Sequence, residues 1–138
     1  MNIATLRIEG EDQALVQLRN ALHLAADAEW RKGASKRNGG SHAKSGFNAT
    51  IADASNPGEM VVVVRKFLAE CKELGVVLSS GTLSTELSVG VTVGDSAQFV
   101  AFVDFTAQDL VLLGALGINL SIAAYPTSDE ANVNDQAA

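Results

Sequence analysis

Residues 56–75 show the pattern of a buried amphipathic helix. Asn56 is a favourable N-cap, Pro57 suits the first helical turn, and Gly75 can take the left-handed conformation that ends a helix. Because a run of four valines has a poor intrinsic helix propensity, tertiary packing must stabilise this helix. The sequence therefore predicts that it lies at the centre of the core. Its inward positions are Val61, Val64, Phe67, Leu68, Cys71 and Leu74.

Strict alternation of apolar and polar residues predicts strands before and after this helix. The alternating segments are residues 4–8, 47–51, 85–93, 98–105 and 118–125, with a short pairing segment at 76–78. Gly94 and Asp95 are typical of a tight turn, so we expect 85–93 and 98–105 to pair as a hairpin. The alternation also indicates that one face of the sheet is exposed to water.

Two further helices are predicted. The first begins with Asp12 as its cap and runs to about Leu24, and the second opens on a Thr106–Asp109 capping box and ends at Gly117. The order of elements predicts an α+β fold, a two-layer sandwich with a mainly antiparallel sheet of about five strands and three helices mostly on one face. We expect one domain over residues 1–126 and a disordered tail over 127–138, where apolar periodicity ends.

Periodicity is also lost between residues 25 and 45. Trp30 indicates that the start of this stretch is packed, whereas residues 31–45 are predicted to form a long, flexible, basic loop. The loop carries half of the chain's 10 basic residues. These residues are Arg31, Lys32, Lys36, Arg37 and Lys44.

Length and composition limit which classes of protein this chain can belong to. A chain of 138 residues with 47% hydrophobic content can bury a core of its own. No apolar run approaches the roughly 20 residues that a membrane span needs, and no secretory signal pattern precedes Leu6. The single cysteine, Cys71, cannot form an internal disulfide, so a reduced, cytoplasmic setting is expected.

Charge is unevenly distributed along the chain, whose net charge is −6. After Lys72 there is no Lys or Arg, but there are eight acidic residues. This balance disfavours nucleic acid as a partner, because nucleic-acid binding needs a basic face. Four acids that flank the predicted hairpin and the following helix instead suggest a surface for a basic protein partner. They are Glu86, Asp95, Asp104 and Asp109.

The residues with catalytic potential form no recognisable constellation. His23 falls at a helix end, His42 falls in the flexible loop, and Cys71 falls on a buried stripe. No Cys, His or Asp cluster has the spacing of a metal site. The glycine-rich stretch GGSHAKSG departs from a phosphate-binding loop, because Ala43 stands where a glycine must precede the lysine. We therefore expect a protein without enzymatic activity, metal or cofactor.

Several short motifs resemble those of the bacterial domain-of-unknown-function family 4279. They are LRIEGED, WRKG, FLAECKELG, TELSVGV and the closing ALGINLSIAAYP. Trp30 and Gly33 match a Trp-x-x-Gly-like signature, residues 113–125 match the closing helix and strand, and the likeness spans residues 5–126 except for the loop at 34–45. The resemblance implies a bacterial source and a small α+β fold. It implies no particular activity, because the activity of the family is not settled. Many such families are suspected immunity proteins of toxin systems, which is an analogy only.

Three functions remain open. The first is a binding protein of the toxin-immunity type that occludes a basic partner through the four acids named above. The second is a sensor or carrier in which residues 30–44 close over a small anionic ligand. The third is a structural module that self-associates, as a homodimer, through the edge of its sheet.

Overall fold

The computed structural model describes residues 1–137, and Ala138, the last residue of the predicted tail, lies outside them. The α+β fold is confirmed, with a five-stranded sheet and four helices. The elements follow one another as β1 (Asn2–Gly10), α1 (Asp12–Leu22), β2 (Ala28–Trp30), β3 (Ser45–Asp53), α2 (Pro57–Leu74), β4 (Ser84–Val93), α3 (Ala107–Leu116), β5 (Ile118–Pro126) and α4 (Asp129–Ala137).

Strand β1 is the centre of the sheet, whose order is β2-β3-β1-β4-β5. It pairs antiparallel with both β3 and β4, and β2 pairs antiparallel with β3. Strand β5 is the exception, because it lies parallel to β4. The expectation of a mainly antiparallel sheet is therefore confirmed, and β4–α3–β5 forms a crossover unit at one side of it.

The predicted hairpin of residues 85–93 and 98–105 is wrong. The turn does form, since Gly94 N–H donates to the Gln98 carbonyl (3.0 Å), but residues 98–105 contain no strand. The chain leaves the sheet there, and β5 occupies the position beside β4 instead. The alternation that predicted a strand has another cause, because Ala101, Val103 and Phe105 pack against the core from an extended connection.

Helix α2 lies at the centre of the core, as predicted. Asn56 Oδ1 accepts a hydrogen bond from Glu59 N–H (2.9 Å), and Gly75 ends the helix with φ 69°. Its buried side chains are Met60, Val61, Val64, Phe67, Leu68 and Cys71. Leu74, predicted to face inward, is exposed, and Met60 takes an inward position that the sequence pattern did not indicate.

Helix α1 differs from its prediction at both ends. Its N-cap is Glu11 rather than Asp12, and no side chain caps it. His23 takes a left-handed conformation (φ 52°), so the helix ends at Leu22. Residues 76–78 form no strand, but Leu78 N–H donates to the Leu116 carbonyl and so ties the segment to the end of α3.

Helix α4 lies in the segment predicted to be disordered, and that prediction is wrong over residues 129–137. Polar contacts hold its start. Asp129 accepts hydrogen bonds from Ser96 N–H and Oγ (both 2.8 Å), and Asn132 donates to Asp95 (2.7 Å). Because these contacts are polar, apolar periodicity could not reveal the helix.

The basic loop follows a hairpin-like path with its own hydrogen bonds. Gly33 N–H donates to the His42 carbonyl (2.8 Å), and His42 N–H donates to the Ala34 carbonyl (2.9 Å). Ser35 and Ser41 form an isolated bridge further out. Its predicted flexibility stays a prediction, but its backbone groups pair with one another rather than only with water.

The Cys71 thiol is fully buried in the core. Burial, followed by the negative charge of Glu70, raises the pKa of this thiol from 9.0 to about 11. Since only the thiolate reacts, we expect native Cys71 to react at least about a hundredfold more slowly with a disulfide reagent than the unfolded chain does. Labelling in buffer and in guanidinium chloride measures this, and equal rates would contradict the buried placement.

Candidate functional site

Asp109 lies inside the protein, not on a binding surface. The Arg65 guanidinium donates two hydrogen bonds to its carboxylate, from Nε (2.9 Å) and from an Nη (2.7 Å). Thr106 N–H donates a third (2.9 Å), which completes the predicted capping box. The Arg65 hydrogen bonds are the main reason that the pKa of Asp109 falls from 3.8 to about 2. Both oxygens of this buried carboxylate accept hydrogen bonds from inside the protein, so its assignment as a partner contact is corrected.

Asp95 is also buried, at 8% exposure. It accepts hydrogen bonds from Gln98 N–H and from the Asn132 amide (both 2.7 Å). These contacts, the backbone one first, lower the pKa of Asp95 from its ordinary value. Its role is to fix the turn after β4 against α4, and its assignment as a partner contact is corrected too.

The two remaining acids of the predicted group are exposed but lie on different elements. Glu86 is on β4, where it is paired with the exposed Arg7 and its side chain faces away from the core. Asp104 is on the connection between β4 and α3. The structure therefore does not gather Glu86, Asp95, Asp104 and Asp109 into one acidic surface.

The cations of the basic loop are all exposed, and they separate into two groups. Lys32 and Lys44 line an open cavity of about 480 Å³ beside the start of α1, together with Glu11 and Asp12. Arg31 lies 3.8 Å from the Asp12 carboxylate. Lys36 and Arg37 lie farther out, where Lys36 helps to close the turn at the tip of the loop.

Trp30 packs on the open face of the sheet, as its predicted packing requires. The Arg7 guanidinium carbon lies 4.6 Å from the centroid of the indole ring, and the His42 ring stacks on the indole at 5.4 Å. Gly46 leaves the space, because a Cβ there would come 2.5 Å from the indole ring. His42 is thus held by an aromatic contact, although it falls in the loop that was predicted to be flexible.

The most unusual surface of the protein is on helix α3. Asp109 is the helix's single charged residue, and it points inward to Arg65. The outward side instead presents Leu110 and Val111, with Gly114 and Ala115 exposed beside them. Surface helices of soluble proteins normally carry their charges outward. The polarity of α3 is therefore inverted relative to that of an ordinary surface helix.

Further large apolar side chains are exposed on the segments that precede and follow α3 in the chain. The connection before α3 exposes further apolar residues, and β5 adds Ile122, which is paired with the buried Val89 and so faces the helix layer. We call this set the apolar edge surface, and its members are exposed by 49% (Ile122) to 73% (Phe99). It consists of Phe99, Val100, Phe102, Leu110, Val111 and Ile122.

A groove of about 760 Å³ between α2 and α3 opens next to this surface. Val111 belongs to both, and Ala69, Val77 and Leu112 continue the apolar lining of the groove. Lys72 lines it as well. The uncovered side of the protein therefore extends from the β5 edge across α3 toward α2.

Sequence reasoning missed the apolar edge surface because it predicted inward positions for part of it. Residues 98–105 were expected to form a hairpin strand, whose alternate side chains would face the core. One signal was available, since residues 107–116 contain a single charged residue. A helix with so little charge is apolar on more than one side.

Comparisons with protein-family models, with curated proteins and with solved structures found no match to this chain. The resemblance to the domain-of-unknown-function family 4279 stays a prediction. Among the side chains that the structure describes, no three His, Cys, Asp or Glu residues lie close enough together to hold a metal ion. No helix within residues 1–137 is long and apolar enough to cross a membrane.

The Arg65–Asp109 pair predicts a specific loss of stability. Asp109→Asn should lower the free energy of unfolding by about 1.5–3 kcal/mol, because it removes charge-assisted hydrogen bonds from a buried carboxylate. Arg65→Lys keeps the positive charge but loses the bidentate hydrogen bonds, so it should lower the free energy of unfolding by less than Asp109→Asn does. Chemical denaturation of both variants measures the difference.

The same pair predicts a pH dependence. The folded pKa of Asp109 is depressed, so its stabilising contribution is complete above pH 3.8 and is lost as the pH falls toward about 2. The unfolding free energy of the Asp109→Asn variant should therefore fall less steeply over this range. Parallel curves for the variant and the parent protein would contradict the pairing.

Proposed function

We propose that this protein is a protein-binding module that acts by covering part of a partner with its apolar edge surface. The observation that supports this most is the inverted polarity of α3, which buries Asp109 and exposes Leu110 and Val111. Exposed apolar patches of this kind, when contiguous, mark interaction sites in soluble proteins. Phe99 and Phe102 add aromatic side chains, which are enriched at the centres of interfaces.

The charges around this surface favour a protein over a membrane or a nucleic acid. No Lys or Arg follows Lys72 in the chain, so the whole of residues 73–138 lacks cations. Anionic lipid surfaces and phosphate backbones both recruit clustered Lys and Arg. The nearest exposed charge in the sequence is Asp104, which would repel either of them. Of the two cations that line the adjoining groove, Arg65 is paired with Asp109 and Lys72 is exposed.

The toxin-immunity role expected from the resemblance is one form of this proposal. In that form the partner would be basic, and the exposed acids Glu86 and Asp104 would assist its approach by long-range attraction. Asp95 and Asp109 leave the list of contacts, because their carboxylates are buried and hydrogen-bonded inside the protein. Substituting them would test folding rather than binding.

Photo-crosslinking in the cell tests the proposal. A benzophenone amino acid at position 111 or 102 should give discrete adducts, because these positions are covered by a partner. The same amino acid at Gln13, an exposed position on α1, serves as the matched control and should give none. Equal, diffuse labelling at all three positions would overturn the proposal.

A surface variant provides the complementary measurement. Val111 is 72% exposed, so Val111→Asp should change the unfolding free energy by no more than about 0.5 kcal/mol. It should nevertheless abolish the adducts formed from position 102, since it places a charge in the apolar contact. Adducts that persist in this variant would exclude α3 from the interface.

A second candidate function is the binding of a small anion near the basic loop. The supporting observation is that Lys32 and Lys44 line one cavity beside the start of α1, whose N-terminal cap lacks a side-chain hydrogen bond. A thermal-shift screen of phosphorylated metabolites should then find a stabilising ligand whose effect is lost in Lys32→Ala. Lys36→Ala, outside the cavity, is the control, and a flat screen would remove this candidate.

A further inference from the structure

We propose that the occupant of the apolar edge surface is a second copy of this chain, joined by antiparallel pairing of the two β5 strands. The result would be a continuous ten-stranded sheet with the helices of both copies on the same side. This inference rests on the proposed function, since it names the partner for the same surface. Four features of the structure support it.

The first feature is the contrast between the two edges of the sheet. At one edge β2 is only three residues long and contains Glu29, which is exposed. At the other edge β5 is nine residues long and contains no charged residue. Monomeric proteins protect an exposed edge with short strands, charges, proline or bulges. The β2 edge is protected by its short length and by the charge of Glu29. Along β5, the only such feature is Pro126, its last residue.

The second feature is the free backbone of β5. Within the described part of the chain β5 pairs only with β4, over the whole length from Ile118 to Pro126. The N–H and C=O groups on its other side point away from the sheet. Pairing with a second β5 strand would satisfy them in a regular ladder.

The third feature is symmetry. In a two-fold dimer each surface meets the same surface of the partner, so a charged patch would meet its own charge. The apolar edge surface and β5 contain no charged side chain, and self-pairing therefore brings no like charges together. If the two-fold axis passes at Ile122, the middle residue of β5, this isoleucine faces its own copy.

The fourth feature is area. Phe99 and Phe102 are 73% and 72% exposed, and burying them would remove roughly 200–350 Å² of surface from water. The four aliphatic members add a comparable area, which brings the total to on the order of 600 Å² for each copy. Backbone contacts along β5 increase it further. A standard interface takes roughly 800 Å² from each partner, and full burial of this surface together with the β5 backbone would approach that size.

Sedimentation equilibrium of the full chain over a wide concentration range tests the inference. The parent protein should approach twice the 14.4 kDa chain mass. Ile122→Lys should raise the dimer dissociation constant by about a hundredfold or more, because it places two like charges at the two-fold axis. Val62→Lys, at a valine of α2 that is 60% exposed and outside the surface, is the matched control and should leave the dimer intact.

A charge-swap experiment separates self-pairing from a general loss of fold. Ile122→Lys and Ile122→Glu should each be monomeric, and an equal mixture of them should recover the dimer mass. If Ile122→Lys does not fold, Ala124→Lys replaces it, because Ala124 is exposed on the same strand and its lysine would lie opposite Leu120 of the second copy. A dimer unaffected by these variants would overturn the proposed interface.

The outcomes also distinguish this inference from the proposed function. A chain that stays monomeric at all concentrations, while crosslinks from position 111 reach a protein of another mass, overturns the second copy and leaves the protein-binding function standing. A monomer without any crosslinked adduct overturns both. Crosslinked adducts of twice the chain mass that disappear in Ile122→Lys support both.

Discussion

The ion pair between Arg65 and Asp109 determines how the second half of the protein is arranged. It joins the middle of α2 to the first turn of α3 through two short hydrogen bonds, and Thr106 closes the same carboxylate into the cap of α3. The only charged side chain of α3, Asp109, is fixed inward. The resulting orientation of the helix places Leu110 and Val111 on its outer side. One interior contact thus creates the exterior surface on which the functional proposal is built.

Local sequence signals were sufficient to predict helix α2, but they were insufficient to predict which acidic residues are buried. The caps at Asn56 and Gly75 and the buried stripe between them are all set within one segment, so the sequence alone predicted this helix and its place in the core. The burial of Asp109 depends on Arg65, which is 44 positions away, and that of Asp95 depends on Asn132, which is 37 positions away. Nothing in the pattern of charges distinguishes such acids from exposed ones.

The predicted hairpin shows a second limit of pattern reasoning. Alternation reports which side chains pack against the core, and it does so correctly for Ala101, Val103 and Phe105, which are partly buried there. It does not report what the backbone pairs with, and an extended connection over the core gives the same signal as a strand. The fold class survived this error because β5, predicted from its own alternation, filled the same position in the sheet. The exposure of Leu110 and Val111 on α3 could not be predicted from alternation. It depends on the contact between Arg65 and Asp109, which are distant in the sequence.

The parallel crossover from β4 to β5 also has a consequence for synthesis of the chain. Strands β1, β3 and β4 can assemble around α2 early, because β3 and β4 both pair with β1 and all three precede α3 in the sequence. Until translation has passed Pro126, however, β4 is the outermost strand and its free backbone has no partner. Nascent chains on neighbouring ribosomes would then present the same open strand to one another, a setting in which wrong pairings compete with correct ones. The rate at which residues 94–126 emerge therefore bears directly on how much of the chain reaches the native state.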